Sequence, residues 1–364
     1  MQTYQRNIRL DIIRGIAVLM VFFYHLSLIY FNYNDYLDIK INDSTLHFPS
    51  YLLCVISTTV GKGYYGVNLF FILSGYLIHE IYYFQQKTNW FIFFHKRFWR
   101  IYPIYFIVLT FWFFMFHKFP VINLKDYIMH VFLVHNFDEK VFFSINPSFW
   151  SLALEVHFYL LFPIVLYFSK KVSFFTIFIC SILLSLLIQN NAFLTSISFL
   201  STFKYLFIWL SGGLIVIYRK SFLFFCSKYK YALHFIFIML FLVSSTKIIT
   251  IENNSIHFIS EFLFCFVFFL EMLTIKIPFV IKKVVKSKLY VLQFFGLISY
   301  NMYLIHQPII VPLRMYFIKI VGNRYLNFAI EQIFVLFIIT LFSYSIYKLI
   351  EVRFMKYGNM LLKK

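Results

Sequence analysis

Apolar residues along this chain gather in ten long runs, near 12–31, 66–84, 101–117, 149–168, 172–189, 196–217, 231–247, 258–275, 290–312 and 326–349. Each holds about 17 residues or more, enough for an α-helix to cross the hydrocarbon core of a bilayer. In lipid every backbone N–H and C=O must be satisfied within the segment, so uninterrupted runs of this length are read as helices. The pattern predicts an all-α, polytopic transmembrane helical protein of about ten spans. The first run is too long for a signal peptide and has no small-residue cleavage site behind it, so it is expected to stay as a helix.

The polar positions between the runs give an orientation. With the N-terminus in the cytoplasm, 23 of the 33 Lys and Arg fall in cytoplasmic segments and nine in the segments on the other side. That bias is the positive-inside pattern and puts both termini in the cytoplasm. Most loop acids, among them Asp35, Asp38, Asp126, Asp138 and Glu139, fall outside. Two outside loops are long, about 32–65 and 118–148, and loops of that length tend to be functional.

Composition narrows the class further. At 62% hydrophobic and 13% charged residues the chain is neither disordered nor an ordinary soluble protein. The formal charge of +19 reads as topology and attraction to anionic lipid or an anionic cytoplasmic ligand, not as a nucleic-acid surface. Cys54, Cys180, Cys226 and Cys265 are far apart and show neither redox nor metal-ligand spacing, so no metal is expected.

Candidate chemistry begins in the first run, LDIIRGIAVLMVFFYHLSLIY. Arg14 and His25 are eleven positions apart, about three turns plus 20°, so they share a helix face with His25 roughly 16 Å deeper. Arg14 as a snorkelling anchor and His25 as a core histidine is the plainer reading. Ionisable groups inside hydrocarbon are costly, which turns the default toward function. In FFHKRFWRIYPIYF, Arg97 and Arg100 are three apart and share a face, a pair suited to phosphate. Trp99 and Tyr102 are candidates to stack on a base, Pro103 to turn the chain into the third span, and plain positive-inside flanking is the rival. The second run carries Ser74-Gly75 as a packing notch.

The fourth run, NPSFWSLALEVHFYLLFP, buries Glu155, with Asn146 and Ser148 placed to cap the helix. A carboxylate in hydrocarbon orients a ligand or pairs with a cation, for which Lys204 is the candidate. In the ninth run Ser299, Tyr303 and His306 recur at spacings of four and three and line one face, either facing substrate or bonding a neighbouring helix. Pro308, two residues after His306, frees backbone carbonyls nearby.

In order and spacing these stretches resemble the acyltransferase 3 family of bacterial integral-membrane acyltransferases. The features that match are Arg14 and His25 with ten residues between them, VNLFFILSGYLI, KRFWRIYP, FWSLALEVHFY and SYNMYLIHQP, spread from about residue 8 to 350. The resemblance implies a multi-pass enzyme of the bacterial cytoplasmic membrane. It would move an acyl group, most often acetyl from acetyl-CoA, onto a hydroxyl of an extracytoplasmic cell-surface carbohydrate or lipid-linked sugar. It implies that residues 1–364 form a single membrane acyltransferase domain with no fused soluble domain. By the same resemblance His25 is the catalytic histidine and Arg14, Arg97 and Arg100 hold the donor. Glu155-Val156-His157 departs from the Glu-Glu or Glu-Gln of many relatives.

On chemistry, ester transfer needs a base for the hydroxyl proton, and a neutral imidazole in an apolar cavity suits that task, as general base or acyl carrier. Glu155 is the second catalytic candidate. Taken without the resemblance, the residues fit a transporter or flippase of lipid-linked glycans equally; a membrane sensor or scaffold would not need the Arg14/His25 alignment.

Overall fold

The computed structural model describes residues 7–30, 63–85, 87–116, 122–245, 254–274, 282–320 and 324–362. Among them every regular element is helical. The helices of eight residues or more are α1 Ile8–Tyr30, α2 Gly63–Tyr82, α3 Trp90–Phe116, α4 Leu124–Val131, α5 Phe149–Ser169, α6 Phe174–Asn190, α7 Ser201–Ile217, α8 Arg219–Lys228, α9 Lys230–Ser245, α10 Asn254–Thr274, α11 Lys282–Ile320, α12 Arg324–Ile346 and α13 Val352–Leu361. A π-helical turn, Tyr347–Glu351, joins the last two. The long outside loop expected at 32–65 lies almost wholly outside the described residues, as does Cys54.

Among the described residues, helix takes up most of each of the ten apolar runs. Six helical segments among the described residues are long and apolar enough to cross a membrane: Trp90–Phe116, Phe149–Ser169, Ser198–Ile217, Ser255–Thr274, Leu289–Leu313 and Gln332–Leu361. The α8–α9 pair, bent by 90°, makes a seventh if it counts as one span.

Glycines set how closely these helices approach. A Cβ on Gly15 of α1 would overlap the Leu292 carbonyl of α11, and one on Gly296 of α11 would overlap the Asp11 carbonyl of α1. Gly75 of α2 and Gly212 of α7 make the same contact, against the carbonyls of Trp209 and Ile72. Backbones can touch at these crossings because no side chain separates them. Around the second crossing the core is aromatic: Trp209 meets Phe158 and Phe162 with ring centroids 5.8 Å away, and Phe71 meets Phe158 edge-on at 5.3 Å.

Pro103 does not turn the chain into the third span. It sits inside α3, which starts at Trp90, where the Asn89 side chain accepts from the Ile92 N–H at 3.1 Å. A proline removes one donor from a helix, and a long helix tolerates that loss when its remaining bonds and packing hold.

Between α3 and α5 the chain folds over the end of the bundle. Asn123 and Asp126 cap α4 reciprocally, at 3.1 and 2.9 Å. The hydroxyls of Tyr102 and Tyr105 donate to the carbonyls of Val131 and His130, tying the segment to α3. His130 and His135 are buried here with parallel rings 3.9 Å apart. Burial lowers the His130 pKa from 6.5 to about 4, against a smaller upward pull from the Asp126 carbonyl and carboxylate; His135 is lowered well below 6.5 by burial and then by its neighbour.

The folded segment therefore holds both rings neutral, while an unfolded one takes up protons near 6.5. Stability is full above that pH and falls as the pH drops from 6.5 toward 4. Hydrogen exchange corrected for intrinsic rate is expected to be faster over residues 124–146 at pH 5 than at pH 7.5. Equal protection at both values would show that the two imidazoles do not set the packing of this segment.

Candidate active site

A cavity of about 290 Å³ opens among α1, α2, α3, α5, α11 and the π-helical turn. Three of its lining residues are the arginines picked from the sequence, Arg14, Arg97 and Arg100. Arg97 and Arg100 are one turn apart on α3 and point the same way, as their spacing requires. Among the described residues neither makes an ion pair, whereas Arg14 contacts the buried Asp11 at 3.0 Å. The Arg97 guanidinium lies over the Tyr159 and Phe93 rings, 5.6 and 5.9 Å from their centroids, and its buried Nε has no hydrogen-bond partner. Guanidiniums held this way beside a cavity offer bidentate donors to an anion.

Glu155 of α5 also lines the cavity and accepts from the Tyr159 hydroxyl one turn on. Ser74 of α2 stands 3.1 Å from that hydroxyl, so the serine of the packing notch belongs to the site and its glycine to the helix crossing. On α11, Ser299 and Tyr303 line the cavity; the Tyr303 hydroxyl is 2.5 Å from that of Ser151, and Ser299 donates to the Gly296 carbonyl.

His25 and His306 lie beyond Tyr303 and are not among the lining residues. Their rings are tilted by 55° with centroids 4.9 Å apart, and the Tyr303 ring is 5.7 Å from that of His306. His306 Nδ1 donates to the Tyr303 carbonyl at 2.8 Å, which leaves its Nε2 as an acceptor. His25 Nδ1 donates to the Val21 carbonyl at 2.9 Å and lies 3.1 Å from His306 Nε2. The lone pair of His25 therefore resides on Nε2.

Three expectations are corrected. Lys204 does not pair with Glu155: its ammonium sits over the rings of Phe258 and Tyr205, 5.3 and 5.7 Å from their centroids, and ring faces stabilise a buried cation without an acid. Ser148 precedes α5 without capping it by side chain; its hydroxyl donates instead to Gln307 of α11 at 2.5 Å. Trp99 and Tyr102 are not free for a base, because Trp99 packs on Phe354 and Tyr357 and Tyr102 stacks between Phe98 and Phe106.

Sequence reasoning passed over Glu351. It lines the cavity from the π-helical turn, buried, and its Oε2 accepts from Asn301 at 2.6 Å. Tyr347, Glu351 and Met355 recur every four residues, a signal available in the sequence, and π turns recur at functional sites. His157, left open by the sequence, is structural: its Nε2 donates to the Leu133 carbonyl and its Nδ1 accepts from Thr202, each at 2.9 Å.

The family pattern described as "Acyltransferase domain" matches residues 7–348. The chain belongs to the acyltransferase 3 family. Its relatives include the O-acetyltransferase OatA of Staphylococcus aureus (strain NCTC 8325 / PS 47), 36% identical over 29% of this chain and 20% of the relative. The peptidoglycan O-acetyltransferase OatA of Listeria monocytogenes serovar 1/2a is 34% identical over 28% and 19%. The chain thus spans about a fifth of the length of the curated relatives it matches. No solved structure matches.

The acyltransferase 3 site is braced by a bond that Pro308 creates. Having no N–H, Pro308 leaves the Leu304 carbonyl without its helical donor, and Asn146 Nδ2 donates to it at 2.8 Å. Asn146 follows Ile145, whose φ of 59° is left-handed and costly for a β-branched residue. Asn146→Ala is expected to lower stability by about 1–3 kcal/mol, the cost of an orphaned buried acceptor. Adding Pro308→Ala restores an N–H and should recover part of the loss. Thermal unfolding in detergent checks both; no loss in the single variant would remove this brace from the account.

Proposed function

We propose that this acyltransferase 3 chain is a membrane O-acyltransferase that moves an acyl group, most simply acetyl, from cytoplasmic acyl-CoA to a hydroxyl of an extracytoplasmic cell-surface carbohydrate. One observation carries the reading: two guanidiniums without carboxylate partners among the described residues, Arg97 and Arg100, line a cavity with Arg14 beside them, and the His25–His306 pair lies next to its lining residue Tyr303. Family membership supports acyl transfer, and the OatA relatives, one of them named a peptidoglycan O-acetyltransferase, support O-acetylation of a glycan. In this reading the chain crosses the bacterial cytoplasmic membrane about ten times with both termini inside, as the distribution of Lys and Arg favours.

The donor fits the residues present. Arg97 and Arg100 suit its phosphates, and the unpartnered Arg97 Nε is a donor already in place. At about 290 Å³ the cavity sits at the lower end of small-molecule sites, about 300–1,000 Å³. That is room for an acyl-bearing arm, with the nucleotide end kept outside near the exposed Arg100. Acyl-CoA supplies the activated thioester carbonyl. Glu155, held by Tyr159, orients the donor beside the arginines. His25 Nε2 takes the acceptor hydroxyl proton as the hydroxyl oxygen attacks that carbonyl, and returns the proton to the departing sulfur.

His25→Ala is expected to abolish acylation of the surface glycan at unchanged protein level, read by mass spectrometry of the glycan; normal acylation in that variant would take His25 out of the mechanism. Arg97→Ala with Arg100→Ala is expected to weaken acetyl-CoA binding to purified protein by more than about tenfold, since a hydrogen bond to a charged group is worth about 1.5–3 kcal/mol. Wild-type affinity in the double variant would move the donor site elsewhere.

A further inference from the structure

We propose that His306 is the positioning residue of the His25 base: its bare Nε2 accepts from His25 Nδ1–H and so leaves His25 Nε2 to face the reacting hydroxyl. The inference rests on the reading of His25 as the base, and deepens it.

The tautomers follow from carbonyls, which can only accept. The Tyr303 carbonyl 2.8 Å from His306 Nδ1 requires a proton on that nitrogen, so His306 Nε2 carries a lone pair. That lone pair lies 3.1 Å from His25 Nδ1, which also reaches the Val21 carbonyl at 2.9 Å. Two acceptors thus converge on one N–H. If His25 instead carried its proton on Nε2, Nδ1 would present a lone pair to both acceptors, a repulsive arrangement in a dry interior.

His306 is itself held. It is buried, its Nδ1 is spent on its own helix, and Ser148 Oγ lies 3.4 Å from its Nε2 while donating to Gln307. The groups around the pair are Tyr24 on α1, Tyr303 on α11, and Ser148 and Gln307; no carboxylate among the described residues contacts either ring. A neutral imidazole therefore fills the orienting place here. In the transfer step the acceptor O–H bond breaks and an N–H bond forms at His25 Nε2; a C–O bond forms, the C–S bond breaks, and the proton passes from Nε2 to sulfur. His306 gains no proton at any point. It holds the ring and accepts from Nδ1–H while His25 carries the positive charge.

The test compares His306→Leu, which removes the acceptor, with His306→Gln, which keeps an acceptor oxygen. Partners that orient a metal-bound histidine typically cost about 10- to 100-fold when lost, and the same scale is expected for a partner that orients a reactive imidazole. His306→Leu is expected to lower kcat by that factor with the KM for acetyl-CoA unchanged, and His306→Gln to retain more of it. Nitrogen-15 NMR of the histidine rings is expected to show His25 as the Nδ1–H tautomer in the native chain and a mixture in His306→Leu. Equal losses in both variants with an unshifted His25 tautomer would make His306 a packing residue and overturn the proposal, as would native kcat in His306→Leu. Should His306→Leu fail to fold, His306→Gln decides alone: native kcat and native tautomer support the proposal, and a Gln variant as inactive as His25→Ala with the native tautomer overturns it. A His25→Ala chain that still transfers acetyl groups would sink the underlying reading separately.

Discussion

The crossing of α1 and α11 is the contact on which the site depends. Gly15 and Gly296 let the two backbones touch, and the helices run parallel from there, since Gly15 meets residues 292–296 and His25 meets His306. Each histidine lies ten residues beyond its glycine, about 15 Å along the axis. Equal rise on parallel helices brings the two rings level. Arg14 and Ser299 flank the same crossing and line the cavity below. One close approach thus sets both the cationic end of the site and the imidazole pair, and the register holds only while both glycines lack side chains.

A second constraint comes from apolar surroundings. Buried polar groups in such a bundle must find partners within the chain. Pro308 frees a carbonyl, and Asn146 answers it from the far side of the α3–α5 connection. The same connection sends Ser148 to Gln307 and receives bonds from Tyr102, Tyr105 and His157. Its fold is therefore tied to α11 at the level of His306. Among the described residues this is the one loop with so many ties to the site, and it lies at the end where an acceptor would approach.

What the sequence made legible is what helix period alone determines. Arg14 with His25, and Arg97 with Arg100, share faces by arithmetic; the structure brings the three arginines to one cavity and sets His25 outside its lining, against His306. The seam of Ser299, Tyr303 and His306 was readable as a face, but not that the first two line the cavity while the third turns to His25. Contacts between helices were the hidden part. Lys204 and Glu155 are both half-buried ionisable groups, yet their helices present them to different neighbours, rings for one and a tyrosine hydroxyl for the other. Glu351 is a different case: its four-residue spacing from Tyr347 and Met355 was there to read, but the π-helical turn that sets which way this face points was not.

The geometry also bears on the proposed function, in which two reactants from opposite sides of a membrane meet at one base. Arg97 and Arg100 on α3 and the imidazoles on α1 and α11 stand apart, with Tyr303 and Ser151 between them, hydroxyls 2.5 Å apart. In that reading the anionic end of the donor stays with the arginines, and the hydroxyl that gives up its proton meets the imidazoles. The partition between the two levels is a pair of hydroxyls, not a backbone, and Tyr303 supplies one of them from the helix that carries His306, one turn before it.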